Sequence, residues 1–244
     1  MRAFFAAIIS IWLVSLPAAA EGPCAPRDFD GTRYTICRFD LREDRLALYN
    51  LDGDGKPYGS FEALATALAA EGKTLRFAIN GGMYDDALKP IGLYVERGQQ
   101  RKRLNRAGGS GNFHLKPNGV FWLKGSEGGV METGAYAEAG LAPDHATQSG
   151  PMLVIDGKLH PRFIEDGASR KWRNGVCVLD LHMAVFAISE QVVNFHDFGR
   201  LFRDGLGCRN ALFLDGGSVP SLHDAATGRS DDHAALGPII GLAK

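Results

Sequence analysis

The apolar residues of this chain come in short runs, and that spacing limits what it can become. Runs suited to extended backbone recur at 34–39, 45–50, 75–80, 91–97, 119–123, 152–155, 176–180, 183–188 and 211–215, with turn-forming residues between them. Such runs have the length of strands and are too short for the helices of a bundle. The 31 Gly and 11 Pro are scattered between the runs, so they read as the turns of an ordered fold and not as a low-complexity tract. Two segments carry helical spacing: 60–71, with Ser60 as N-cap and Gly72 as terminator, and 197–204, with Phe198, Leu201 and Phe202 on one face. Asp156-Gly157 and Leu179-Asp180-Leu181-His182 lie between apolar runs as hairpin connections. The expected class is α+β: a strand-dominated mixed or antiparallel sheet with a few packed helices. No linker rich in Pro, Ser or charge divides 30–244, which predicts a single domain.

Charge narrows the partners. With 27 Lys+Arg against 28 Asp+Glu, the chain lacks the basic surface that holds a nucleic-acid backbone or an anionic membrane. Arg2, the apolar run 3–16, Pro17 and Ala18-Ala19-Ala20 form the pattern of a signal peptide cleaved after Ala20. The run is shorter than the roughly 20 residues a membrane span needs, so the expectation is a periplasmic or secreted protein with no stable membrane insertion. The division read from the sequence is a signal peptide at 1–20, an N-terminal segment of the mature domain at 21–44 and the functional domain at 45–244.

Cys24, Cys37, Cys177 and Cys208 all follow the cleavage site, in a compartment where disulfides persist. Three pairings are open. Cys24 with Cys37 and Cys177 with Cys208 is the favoured one, because each pair brackets a local segment. A zinc site has little support: the sequence contains no CxxC, and no Cys stands at ligand spacing from another Cys or a His.

Familiar catalytic signatures are missing. Gly108-Gly109-Ser110-Gly111 runs into Asn112 and so fails as a nucleophile elbow, and neither SxxK nor HExxH occurs. Gly72-Lys73-Thr74 lacks the earlier glycine of a phosphate loop, because that position is Ala67. Asp52-Gly53-Asp54-Gly55 departs from a calcium loop at Lys56, Pro57 and Ala63, and reads as a solvated turn.

Four polar clusters remain, each ending or preceding an apolar run. Asn80-Gly81-Gly82-Met83-Tyr84 can set backbone N–H groups against an anion or a sugar. Ser149-Gly150-Pro151 puts a hydroxyl and an open turn at a strand start, and Arg170-Lys171-Trp172-Arg173-Asn174-Gly175 brings cations and an amide to the edge of another. Asp215-Gly216-Gly217-Ser218 leaves a carboxylate at a strand end, with glycines that let a ligand approach the backbone.

Together the four clusters resemble the phosphodiester glycosidase family from about residue 45 onward, and His114-Leu115-Lys116-Pro117-Asn118-Gly119 is similar to its bacterial exported branch. The resemblance implies an exported hydrolase of glycosyl phosphodiesters, in envelope or exopolysaccharide metabolism, that needs no cofactor. It assigns the catalysis to Asp215, as nucleophile or as base for water, with His114 as a second acid–base candidate. It gives phosphate binding to Arg173 and Lys116, orientation to Asn80, Ser149 and Ser218, and the remaining contacts to Gly81, Gly82, Gly150, Asn174, Gly216 and Gly217. Two other readings stay open: a metal-dependent phosphoesterase using Asp85, Asp86, Asp215, His223 and Asp224, and a non-catalytic module that binds envelope polysaccharide.

Overall fold

The computed structural model describes residues 22–244, so the expected signal peptide at 1–20 lies outside the described residues. In chain order the strands are β1 (Cys24–Phe29), β2 (Thr32–Asp40), β3 (Leu46–Tyr49), β4 (Leu75–Asn80), β5 (Tyr94–Glu96), β6 (Gln99–Lys102), β7 (Gly119–Lys124), β8 (Glu127–Glu132), β9 (His145–Ser149), β10 (Met152–Ile155), β11 (Lys158–Leu159), β12 (Trp172–Leu179), β13 (Met183–Ser189), β14 (Ala211–Gly217), β15 (Leu222–Asp224), β16 (Arg229–Ser230) and β17 (Ile239–Ala243). Helices α1 (Phe61–Ala70), α2 (Thr133–Glu138) and α3 (Phe195–Arg200) lie among them, and a π-helical turn, Leu201–Gly205, extends α3.

The strands form three antiparallel sheets. The first runs β1-β2-β13-β12-β14-β10-β11, the second β16-β15-β4-β17-β3 and the third β6-β5-β9-β7-β8. Strand alternation explains why β12 and β13 read as continuous apolar runs: both faces of the first sheet are covered. Val176, Ala184 and Phe186 face the other two sheets, whereas Cys177, Val185 and Ala187 pack with Phe198, Leu201 and Phe202 of the α3 region. Phe186 is the joint between sheets, 5.4 Å from Phe77 of the second and 6.0 Å from Phe121 of the third.

The helices cover outer faces. Ser60 caps α1 by accepting from the Ala63 N–H, and Phe61, Leu64 and Leu68 bury one side of it. The second expected helix begins two residues earlier than its spacing predicts, because Asn194 caps it through a 2.7 Å bond from the Asp197 N–H. β1 and β2 belong to the first sheet, where β2 pairs along its length with β13, so the segment before residue 45 is part of the same core.

Two disulfides close this architecture. Cys24 bonds Cys37 across the β1–β2 pair, and Cys177 in the middle of β12 bonds Cys208, just before β14. The first closes 13 residues and the second 31, which chain entropy converts to about 3 and about 4 kcal/mol. The double variant Cys177→Ala/Cys208→Ala should therefore lose more stability in urea melts than Cys24→Ala/Cys37→Ala. Equal or reversed losses would refute the entropic ranking.

Candidate functional site

The site begins with an irregularity in a ladder. Asn174 pairs with Asp215 but Gly175 pairs with Phe213, so Leu214 is an extra residue on β14. A bulge of this kind re-aims the next side chains along its strand, and here the next one is the carboxylate. Asn80, at the end of β4, and Asn174 are fully buried, and their amides join the second sheet to the first. Asn174 Nδ2 donates to Asn80 Oδ1 at 2.6 Å, while Asn174 Oδ1 accepts from the Asp215 N–H at 3.0 Å. Asn80 Oδ1 also accepts from the Ser221 N–H at 3.1 Å, so one amide pair fixes the backbone on both sides of the Gly216-Gly217 end of β14. The third sheet joins through Ser149, at the end of β9, whose Oγ donates to the Leu214 carbonyl at 2.8 Å.

Paired glycines follow both Asn80 and Asp215. Gly82 has φ +136, and a Cβ there would stand 2.8 Å from Thr147 Oγ1, so this turn accepts only glycine. Among the described residues the N–H groups of Gly82 and Met83 make no hydrogen bond, which leaves two backbone donors in this segment. Gly217, the last residue of β14, has φ +83 and leads into the turn at the exposed Ser218.

Asp215 is partly exposed at the end of this buried framework. Burial pushes its carboxyl up from 3.8 to about 7, and the 2.7 Å bond that Oδ1 accepts from the Gly216 N–H holds it down only in part. Tyr84 lies close enough to feel that charge. Burial first and Asp215 second raise its phenol to about 12, and its hydroxyl donates to the Ala235 carbonyl at 2.6 Å. A carboxyl that is partly exposed and titrates near neutrality is the arrangement expected of an acid–base or nucleophilic group.

Other expected residues stand elsewhere. Arg173 does not join the cluster. Strand alternation turns it to the opposite side of β12 from Asn174, where it is 1% exposed, stacked 3.6 Å from the Phe195 ring centroid and bonded to the carbonyls of Val193 and Ser169. In this structure its guanidinium braces those backbone segments and is closed off from solvent. His114 Nδ1 contacts the Ala107 carbonyl at 3.2 Å and Lys116 Nζ donates to the Arg106 carbonyl at 2.5 Å, so both hold the 105–111 loop. That segment reaches the site through Gly150, which packs against Asn118 and the Phe113 carbonyl next to Ser149.

The alternative metal set does not converge. Asp85 accepts from the N–H groups of Ala87 and Lys89 in its own turn, Asp224 is buried with Thr227 Oγ1, and His223 pairs with Ser230. Among the described residues no three His, Cys, Asp or Glu side chains form a group able to hold a metal ion. Sequence reasoning gave no role to Tyr84, although it ends the Asn-Gly-Gly motif, or to Thr147, which lies two residues from Ser149 on β9.

Residues 73–242 match the phosphodiester glycosidase family. The uncharacterized protein YigE of Escherichia coli is 36% identical over 210 residues, covering 85% of this chain and 81% of its own. The fold is similar to the catalytic domain of zebrafish N-acetylglucosamine-1-phosphodiester alpha-N-acetylglucosaminidase, auto-inhibited by pro-peptide, with a TM-score of 0.60 at 14% identity over 90% of this chain and 81% of that one. A hypothetical protein from Synechocystis aligns with a TM-score of 0.55 at 15% identity, over 90% of this chain and 61% of that one.

The raised carboxyl carries a stability consequence. The folded chain keeps the Asp215 proton up to about pH 7, whereas an unfolded chain releases it near 3.8. Between those values the folded state binds more protons, so rising pH drains stability, and above pH 7 the full cost is present. Asp215→Asn removes it. The variant should be more stable than the parent by about 2–4 kcal/mol above pH 7, with the gap closing below pH 4 in urea melts across pH. A gap independent of pH would show that the carboxyl is not raised.

Proposed function

The chain belongs to the phosphodiester glycosidase family, and from that premise we propose that it is an exported hydrolase that cleaves a glycosyl phosphodiester at the anomeric C–O bond, with Asp215 as the reacting carboxylate. The observation that carries this reading is the placement of Asp215: a carboxyl raised to about 7, at the meeting point of three sheets, with glycines directly after it on its own strand. Its setting fits the chemistry. The leaving group is a phosphate monoester, whose second ionisation near about 6 lets it depart without a proton donor. Ordinary glycosidases need a second carboxyl to protonate a sugar alkoxide, and that requirement disappears here.

Water adds to the anomeric carbon as the C–O bond to phosphate breaks, and the bonding electrons leave with the phosphate monoester. Ionised Asp215 takes the water proton, or attacks the same carbon first and is released by water in a second step. The unpaired N–H groups of Gly82 and Met83 receive phosphate oxygens, a role that needs no side-chain cation. Asn80, Asn174 and Ser149 act by fixing the backbone that carries Asp215 and do not touch substrate.

Export is supported by the pattern at 1–20 and by the two disulfides. A periplasmic or secreted enzyme of this kind meets glycosyl phosphodiesters of the cell envelope or of exopolysaccharide. The test is release of sugar and phosphate monoester from a panel of glycosyl phosphodiesters. With Asp215 as base or nucleophile, kcat/KM should rise with pH to a plateau above about 7, and Asp215→Asn should lose at least about 100-fold. Normal turnover by that variant, or a rate that falls as pH rises through 7, would overturn the assignment.

A further inference from the structure

The ladder that carries Asp215 continues for one more side-chain repeat, and a cavity opens there. Asn174 pairs with Asp215 and Trp172 pairs with Gly217, so Trp172 and Gly217 stand about 7 Å farther along the strands. A cavity of ≈ 270 Å³ is lined there by Trp172, Glu190, Gly217, Ser218, Pro220 and Arg229, among others. Trp172 is 51% exposed, and its strand partner has no side chain, which leaves the indole uncovered beside the cavity. An exposed indole next to fixed polar groups matches a ligand with one apolar face and one polar rim.

The charges decide which ligand. Arg229 Nη1 donates to Glu190 Oε1, while its Nε and Nη2 go to the Asp231 carboxylate at 2.8–3.1 Å. Among the Arg, Asp and Glu side chains here one guanidinium therefore answers two carboxylates, a negative surplus, with His233 also on the cavity wall. A phosphate is repelled by that surplus, whereas a neutral polyol is not. Thr35 Oγ1 also donates to Glu190 Oε1, at 2.6 Å, so the second oxygen of Glu190 is the one available to a ligand.

We propose that this cavity is the subsite for the uncharged sugar ring, with the apolar face of a pyranose against Trp172 and a ring hydroxyl donating to Glu190. The orientation rests on Asp215 as the reacting group, since it sets the anomeric carbon at the Asp215 end and the phosphate on the Gly82 side. Binding of a sugar in the cavity needs no turnover, so the two readings separate by experiment.

The test follows tryptophan emission of the purified protein titrated with N-acetylglucosamine, glucose, galactose and, separately, inorganic phosphate. At least one sugar should give a saturable change that phosphate neither produces nor reverses. The change should vanish in Trp172→Phe, where the buried Trp122 remains as baseline. With a cleavable phosphodiester, Trp172→Ala should raise KM roughly tenfold with a much smaller change in kcat, and Trp172→Phe should recover most of that loss. No response to any of the sugars, displacement of sugar by phosphate, or a KM untouched by Trp172→Ala would overturn the subsite. A sugar response without hydrolysis would uphold the subsite and count against the hydrolase; hydrolysis with no sugar response would do the reverse.

Discussion

Everything at the reacting end of this molecule hangs on two buried side-chain amides. Asn80 and Asn174 belong to different sheets, and each spends its polar atoms on the other and on the backbone around Asp215 and Ser221. Inside a core, an amide left unpaired costs about 1–3 kcal/mol, so the pair works only when both sheets are in register with each other. The demand runs in both directions. The Phe77, Phe121 and Phe186 packing must bring three sheets together before the amides can meet, and once they meet they fix where the chain turns.

That construction explains how one carboxylate is held in a low-polarity setting with no counter-cation beside it among the described residues. The residues that touch the Asp215 backbone are neutral, and the side chain itself accepts one N–H from Gly216. Desolvation is therefore met by little compensation, and the proton stays on to near neutrality. A nearby guanidinium would have pulled the value back toward that of an ordinary Asp. Turning Arg173 to the far face of β12, with Phe195 and two carbonyls as its partners, keeps that charge out of the site while using the same strand.

Much of this is legible in the sequence, for identifiable reasons. Short apolar runs between turns carry strand structure in their spacing, and Ser60 and Gly72 mark a helix that the structure has at Phe61–Ala70. The clusters around Asn80, Ser149, Asn174 and Asp215 stand out because each sets polar and turn-forming residues at the end of an apolar run. Their convergence depends on sheet order, which sequence spacing does not encode. Arg173 misleads because strand periodicity gives opposite faces to Arg173 and Asn174 without saying which face is the site. α2 escapes because its cap is Glu132 and it contains Gly134, neither of which marks a helix start. β6, Gln99–Lys102, is exposed throughout and is a strand only by pairing with β5, a property no local pattern carries.

The bulge lies in the β12–β14 pair and the disulfide ties β12 to the segment just before β14, and their separation has a physical logic. At one end of the β12–β14 ladder the register breaks, a carboxylate is desolvated and two glycines loosen the chain. Three residues farther along β12, Cys177 is paired in register with Ala211 and cross-linked to Cys208. The cross-link restricts the unfolded chain around the very strands that carry the costly end, and the contribution of about 4 kcal/mol is of the size that desolvating one carboxyl removes. Neither term acts through the other's contacts, so each can vary without rebuilding the other. A fold arranged this way can keep an ionisable group in an unfavourable environment at one end of a ladder because the opposite end is covalently held.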